Sequence, residues 1–117
     1  MTRKLLLLLL LSLPACSSSS GPEADLQHIK QARSLGAEWA LVNEQAGKRH
    51  LTGKYVRSMR RWLRENLQTS SQSLRQPKSG YGEEIQALLA EPDDAAPRAL
   101  RSHVRVLKKI EDSLESA

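Results

Sequence analysis

An all-α fold, arranged as a small antiparallel helical bundle of three main helices plus one short helix, is what this sequence predicts. In separate stretches the apolar residues recur at alternating spacings of three and four. Gly, Pro and Ser clusters break the chain between them, and no strand-like alternation is present. The composition agrees. Among 117 residues there is no phenylalanine, and there are two tryptophans, two tyrosines and one cysteine. A core must therefore come from Leu, Ile, Val, Ala and Trp. A single cysteine excludes an intrachain disulfide, so packing alone has to stabilise a domain of marginal size.

The first helix opens at Glu23-Ala24-Asp25, where acidic residues suit the positive end of the helix dipole, and runs to about Gly47. His28, Ala32, Leu35, Trp39, Val42 and Ala46 share one face, which Ile29, Gly36 and Ala40 widen. Gly36 lowers helix propensity and marks close approach of a neighbour; Gly47 supplies a stop. After Lys48-Arg49-His50, Thr52 is the N-cap of a second helix, with Leu51 stapling onto Val56. This helix runs to about Leu74. Tyr55, Val56, Met59, Trp62, Leu63, Leu67 and Leu74 form its apolar face, while Lys54, Arg57, Arg60, Arg61, Arg64 and Arg75 take much of the rest. The short link makes the first two helices an antiparallel hairpin.

Gln76-Pro77-Lys78-Ser79-Gly80 is the next break. A short helix from Glu83 to Ala90 contributes Ile85, Leu88 and Leu89. In the following break Asp94 serves as a cap and Pro97 as a first-turn residue, where its missing N–H is no loss. The last helix reaches about Glu115, with Leu100, His103, Val104, Leu107, Ile110 and Leu114 as its stripe.

Ahead of this domain stand Arg3 and Lys4, a leucine run from Leu5 to Leu11 with Leu13, and then Pro14-Ala15-Cys16. The run fits a secretory signal and is shorter than the roughly 20 residues that span a bilayer. Leu13-Pro14-Ala15-Cys16 resembles the lipobox of bacterial lipoprotein precursors, although Pro14 stands where that family usually has a small or β-branched residue. The resemblance covers residues 1–17. It implies lipidation of Cys16, cleavage between Ala15 and Cys16, and acylation of the new amino terminus. Ser17, in place of aspartate, implies passage to the outer membrane, with the domain facing the periplasm. A cut after Ser17, on the small-x-small pattern Ala15-Cys16-Ser17, is the alternative, and would yield a soluble periplasmic protein. The chain then divides into a signal peptide (1–15), a lipidated cysteine with a flexible tether (16–22) and one helical domain (23–117).

Catalytic groups are not recognisable. His28, His50 and His103 have no metal-ligand spacing among them, and no cofactor is indicated. His28 and His103 fall on core-facing stripes, as partly buried histidines among apolar neighbours. The pairs Glu83-Glu84, Asp93-Asp94 and Glu111-Asp112 fall at helix starts or on solvent faces, where adjacent residues diverge. The expectation is a non-enzyme without a small-molecule substrate.

The charge pattern is the one remaining signal. The chain carries a net charge of +5. Residues 48–78 hold Lys48, Arg49, Lys54, Arg57, Arg60, Arg61, Arg64, Arg75 and Lys78 against Glu65 alone, whereas residues 80–97 hold five acids and no base. Either these segments neutralise one another or face water, or the face of Lys54, Arg57, Arg60, Arg61, Arg64 and Arg75 meets an anionic partner. That partner is an envelope protein or anionic lipid, not nucleic acid, because the signal exports the chain. The function expected is a lipid-anchored accessory or interaction module of the envelope. The alternative is a protein that covers anionic membrane surfaces.

Overall fold

Pro22 opens α1 (Pro22–Gly47), with Glu23 and Asp25 in its first turn. The computed structural model describes residues 21–116, which form α1, α2 (Gly53–Gln72), α3 (Gly80–Leu89) and α4 (Pro97–Glu115), with no strand among them. The signal segment, the lipobox residues Leu13, Pro14, Ala15 and Cys16, and the tether to Ser20 lie outside the described residues.

The long helix α1 is the shared partner of all the others. Its buried stripe comprises Ile29, Ala32, Leu35, Gly36, Trp39, Ala40 and Val42, joined by the polar Asp25 and Asn43. Against it α4 runs antiparallel: Lys30 pairs with Glu115 at 3.5 Å, Arg33 with Glu111 at 2.7 Å, and Glu44 with Arg101. Also antiparallel to it is α2, since Arg60 reaches Asn43 while the residues after α2 reach Asp25. The expected hairpin of the first two helices is present. Between α2 and α4 lies α3, and α2 and α4 make no close backbone approach to each other. The helices meet around fully buried Ile29, Trp39, Leu63, Leu67, Ile85, Leu88, Leu100 and Leu107. Burying each such side chain is worth about 1.5–3 kcal/mol.

Gly36 does mark a close approach. A Cβ there would stand 3.0 Å from both Leu88 Cδ2 and Val104 Cγ2, so α3 and α4 both close over α1 at that point.

Capping follows the sequence at one end and departs from it at others. Thr52 caps α2, its Oγ1 accepting from the Tyr55 N–H at 3.2 Å. Pro97 begins α4 as expected, but its N-cap is Ala96 without a side-chain bond, and Asp94 is an exposed turn residue instead. The pair Asp93-Asp94 thus belongs to the α3–α4 connection and not to a helix start. Ser79 caps α3 by accepting from the Gly82 N–H, which starts that helix three residues before Glu83.

At the end of α1, Gly47 is the last helical residue but not the left-handed one. Arg49 takes that role at φ 61. His50 N–H bonds to Gln45 O and Arg49 N–H to Ala46 O, both at 3.0 Å, the paired bonds of a Schellman ending. A non-glycine residue in this conformation costs about 1–2 kcal/mol. Arg49→Gly should therefore raise the unfolding free energy by about 0.5–1 kcal/mol, net of the greater freedom of glycine in the unfolded chain. Urea denaturation curves with unchanged slope would measure it.

The apolar face expected for α2 is too wide. Val56, Leu63 and Leu67 are buried, but Tyr55 and Trp62 are 49% and 50% exposed. With neighbours only in α1 and α3, α2 has a narrower stripe covered, and the two aromatics stand outside it. The helix also stops at Gln72, so Leu74 is buried from the following turn.

Candidate functional site

The arginines of α2 separate into two groups. Arg60 and Arg64 turn toward the connection between α3 and α4. The Arg64 guanidinium lies 5.1 Å from the centre of the Trp39 ring. Its Nη1 donates to Glu91 O and its Nη2 to Leu89 O, both at 2.8 Å, and its Nε lies 3.4 Å from Asp93 Oδ1. These carbonyls belong to the end of α3, where a cation meets the negative pole of the helix. Arg60 Nε donates to Asn43 Oδ1 at 2.9 Å. Asn43 Nδ2 in turn donates to Asp93 O at 3.1 Å and Ala95 O at 2.8 Å, and Trp39 Nε1 donates to Asp93 O at 3.0 Å. Trp39 and Asn43, four residues apart on one face of α1, thus latch the connection to the core. Periodicity marks Trp39 only as core material and says nothing of Asn43; a buried amide at the edge of an apolar stripe was the signal to read.

The second group faces water. Lys54, Arg57 and Arg61 are exposed and form no ion pair among the described residues. Arg57, Arg60, Arg61 and Arg64, with Glu65 and Asp93, line an open cleft of about 410 Å³. Lys54 lies outside the cleft, nearer the start of α2. Arg75 lies beyond the end of α2, where its backbone N–H bonds to Asp25. The structure therefore brings four of the six expected residues together, and Arg64 spends its N–H groups on the fold. On the neighbouring flank Tyr55 and Trp62, seven residues apart and about two helical turns, stand exposed one above the other.

The basic stretch and the acidic stretch hardly pair with each other. Among the described residues Arg64–Asp93 is the one ion pair between residues 48–78 and 80–97, while most of the others tie α1 to α4 or lie within α4.

Several titratable groups elsewhere in the bundle are occupied structurally. His103 is half-buried as expected, but its neighbours are carboxylates: Nδ1 lies 2.6 Å from Glu84 Oε1 and Nε2 3.5 Å from Glu91 Oε2. His50 is exposed, its Nδ1 2.7 Å from Gln45 Oε1. Glu111, expected on a solvent face, is 2% exposed beneath Arg33 and Lys108. Burial pushes its carboxyl up, and the bonds and charges of Arg33 and Lys108 outweigh that and hold it below the ordinary value. Glu111, Asp112 and Glu115 converge closely enough to suggest a cation site. The Lys108 ammonium already sits 3.0 Å from Glu111 and 3.1 Å from Asp112 and supplies the positive charge there.

Asp25 is the deepest acid. Its Oδ1 accepts from the Arg75 N–H at 2.8 Å, and its Oδ2 from the Gln76 N–H at 3.0 Å and the Tyr81 hydroxyl at 2.7 Å. Burial raises its pKa, but the bonds from Arg75, Tyr81 and Gln76 and the nearby His28 charge hold it below the usual value.

Set against family models, curated proteins and solved structures, the chain finds no match.

Proposed function

We propose that this chain is a lipoprotein of the bacterial outer membrane, acylated at Cys16, whose periplasm-facing helical domain is a non-enzymatic interaction module. The surface that does the binding is the outer side of α2. One observation carries the reading: Arg60 and Arg64 are engaged in holding the bundle together, whereas Lys54, Arg57 and Arg61 on the same helix are presented to solvent beside half-exposed Tyr55 and Trp62. Arginine, tyrosine and tryptophan are the residue types that concentrate binding energy at interfaces. An envelope component with an acidic surface is the partner this face suits. The same aromatics also favour a second reading, direct contact with anionic lipid, because Trp and Tyr settle at membrane–water boundaries.

Two measurements test the proposal. Cells fed a radiolabelled fatty acid should label the wild-type chain and not Cys16→Ser, and an unlabelled, soluble wild-type product would sink the anchor. Arg57→Glu with Arg61→Glu should abolish the crosslinks the domain makes in the envelope, while stability changes by no more than about 0.5 kcal/mol, as for surface substitutions generally. Crosslinks that survive the double substitution would remove α2 as the working surface.

A further inference from the structure

The cleft on α2 differs from an ordinary cationic surface because one of its guanidiniums is already oriented. Arg60 is fixed through Nε to Asn43, and Asn43 is fixed by the carbonyls of Asp93 and Ala95. The rotamer freedom that a long side chain normally loses on binding is therefore lost in folding. Arg57, one turn earlier, and Arg61 line the same cleft and have no ion pair among the described residues. Arg64 contributes charge but few donors, its Nη groups being spent on Leu89 and Glu91. Glu65 and Asp93 are the carboxylates on the rim, and Asp93 is already beside Arg64.

Arginine forks match the oxygens of carboxylate or phosphate. A carboxylate is satisfied by one fork, whereas three guanidiniums lining one cleft exceed its two oxygens and suit the three or four of a phosphate. We propose that this cleft is a phosphate-binding site, with Arg60 as the pre-oriented donor and Arg57 and Arg61 closing on the remaining oxygens. The phosphate comes from a lipid headgroup or from a soluble phosphate ester. The inference rests on α2 being the working surface, and it does not require the acyl anchor.

The test uses the full chain in a non-ionic detergent, with the arginine Nε–H resonances followed as inorganic phosphate replaces chloride at constant ionic strength. Arg57, Arg60 and Arg61 should shift and saturate with a dissociation constant on the order of 1 mM, as a few charge-assisted bonds in water allow. Arg98 and Arg105 should not respond. Arg61→Lys, which keeps the charge and disturbs no contact of the fold, should weaken binding at least three-fold, and Arg105→Lys should leave it unchanged. Shifts that rise without saturating, or that are equal at Arg105 and Arg61, would overturn the site.

The source is read by adding vesicles. Stronger attachment to phosphatidylglycerol than to phosphatidylcholine vesicles, competed by millimolar phosphate, identifies a headgroup. Saturable phosphate binding without that preference identifies a soluble ester. Saturation in a chain that takes up no fatty acid defeats the anchor alone, whereas an acylated chain without saturation defeats the phosphate site alone.

Discussion

Replacing Asp25 by alanine is expected to lower the unfolding free energy by about 3 kcal/mol, a large fraction of the stability of a domain this size. The carboxylate is fully buried and accepts three bonds, two from backbone N–H groups just after α2 and one from the Tyr81 hydroxyl at the start of α3. It therefore ties the first turn of α1 to the connection between the next two helices. Hydrogen bonds to a charged acceptor contribute about 1.5–3 kcal/mol each, and water reclaims part of that at the part-buried N–H groups of Arg75 and Gln76. Tyr81→Phe, which removes one bond and keeps the ring, should cost only about 1 kcal/mol. Chemical denaturation of both variants checks the order. A loss below 1 kcal/mol for Asp25→Ala would mean that the turn holds its place without the carboxylate.

The same residue gives the protein an acid limit. In the folded state Asp25 and Glu111 both titrate below their ordinary values, so between the two values the unfolded chain binds more protons than the folded one. Their contribution is complete above the ordinary carboxylate pKa, about 4, and is lost as the pH falls through the lowered folded values. The share of stability that these two groups supply should accordingly be constant near neutrality and fall in the acid range, and Asp25→Ala should flatten part of that fall.

Gly82→Ala is the second large effect, at about 3 kcal/mol of destabilisation, in the range of overpacking a core. A Cβ at residue 82 would stand 2.2 Å from the Pro77 carbonyl oxygen and 2.7 Å from its carbon. Both are backbone atoms, so no side-chain rotation relieves the clash, and the Gln76–Ser79 turn that also serves Asp25 must move. Gly80 is the control, because a Cβ there meets nothing within 4 Å. Gly80→Ala should leave stability unchanged or raise it by about 0.5 kcal/mol. Equal thermal midpoints for the two alanine variants would refute the close contact at Gly82.

Much of the fold was legible because it is local. Thr52, Pro97 and Gly36 each do what their residue type and position suggest, and the four helices stand within a few residues of where periodicity puts them. What escaped is long-range. Asp25 at a helix start suits the dipole, and nothing within a few residues tells of partners 50 or more positions away. Tyr55 and Trp62 are apolar by type, but a wheel cannot say how wide a stripe the neighbours will cover. Glu111 fell among charged residues and was drawn inward by Arg33, 78 positions distant. The basic face shows the same limit. Its six residues were equivalent by spacing, and the carbonyls of residues 89–95 decided which guanidiniums the fold would keep.

The pairing of α1 with α4 also sets an order in time. The buried stripe of α1 finds its main cover in the last helix, and Lys30 meets Glu115 only when the whole domain is present. A chain emerging from its amino end can form the α1–α2 hairpin early, but the side of α1 around Arg33 stays wet until α4 arrives, and Gly36 has only Leu88 of α3 over it before then. Contacts of such long sequence separation slow folding. Under the export proposed above, that delay would keep the chain extended until its final segment has crossed the membrane.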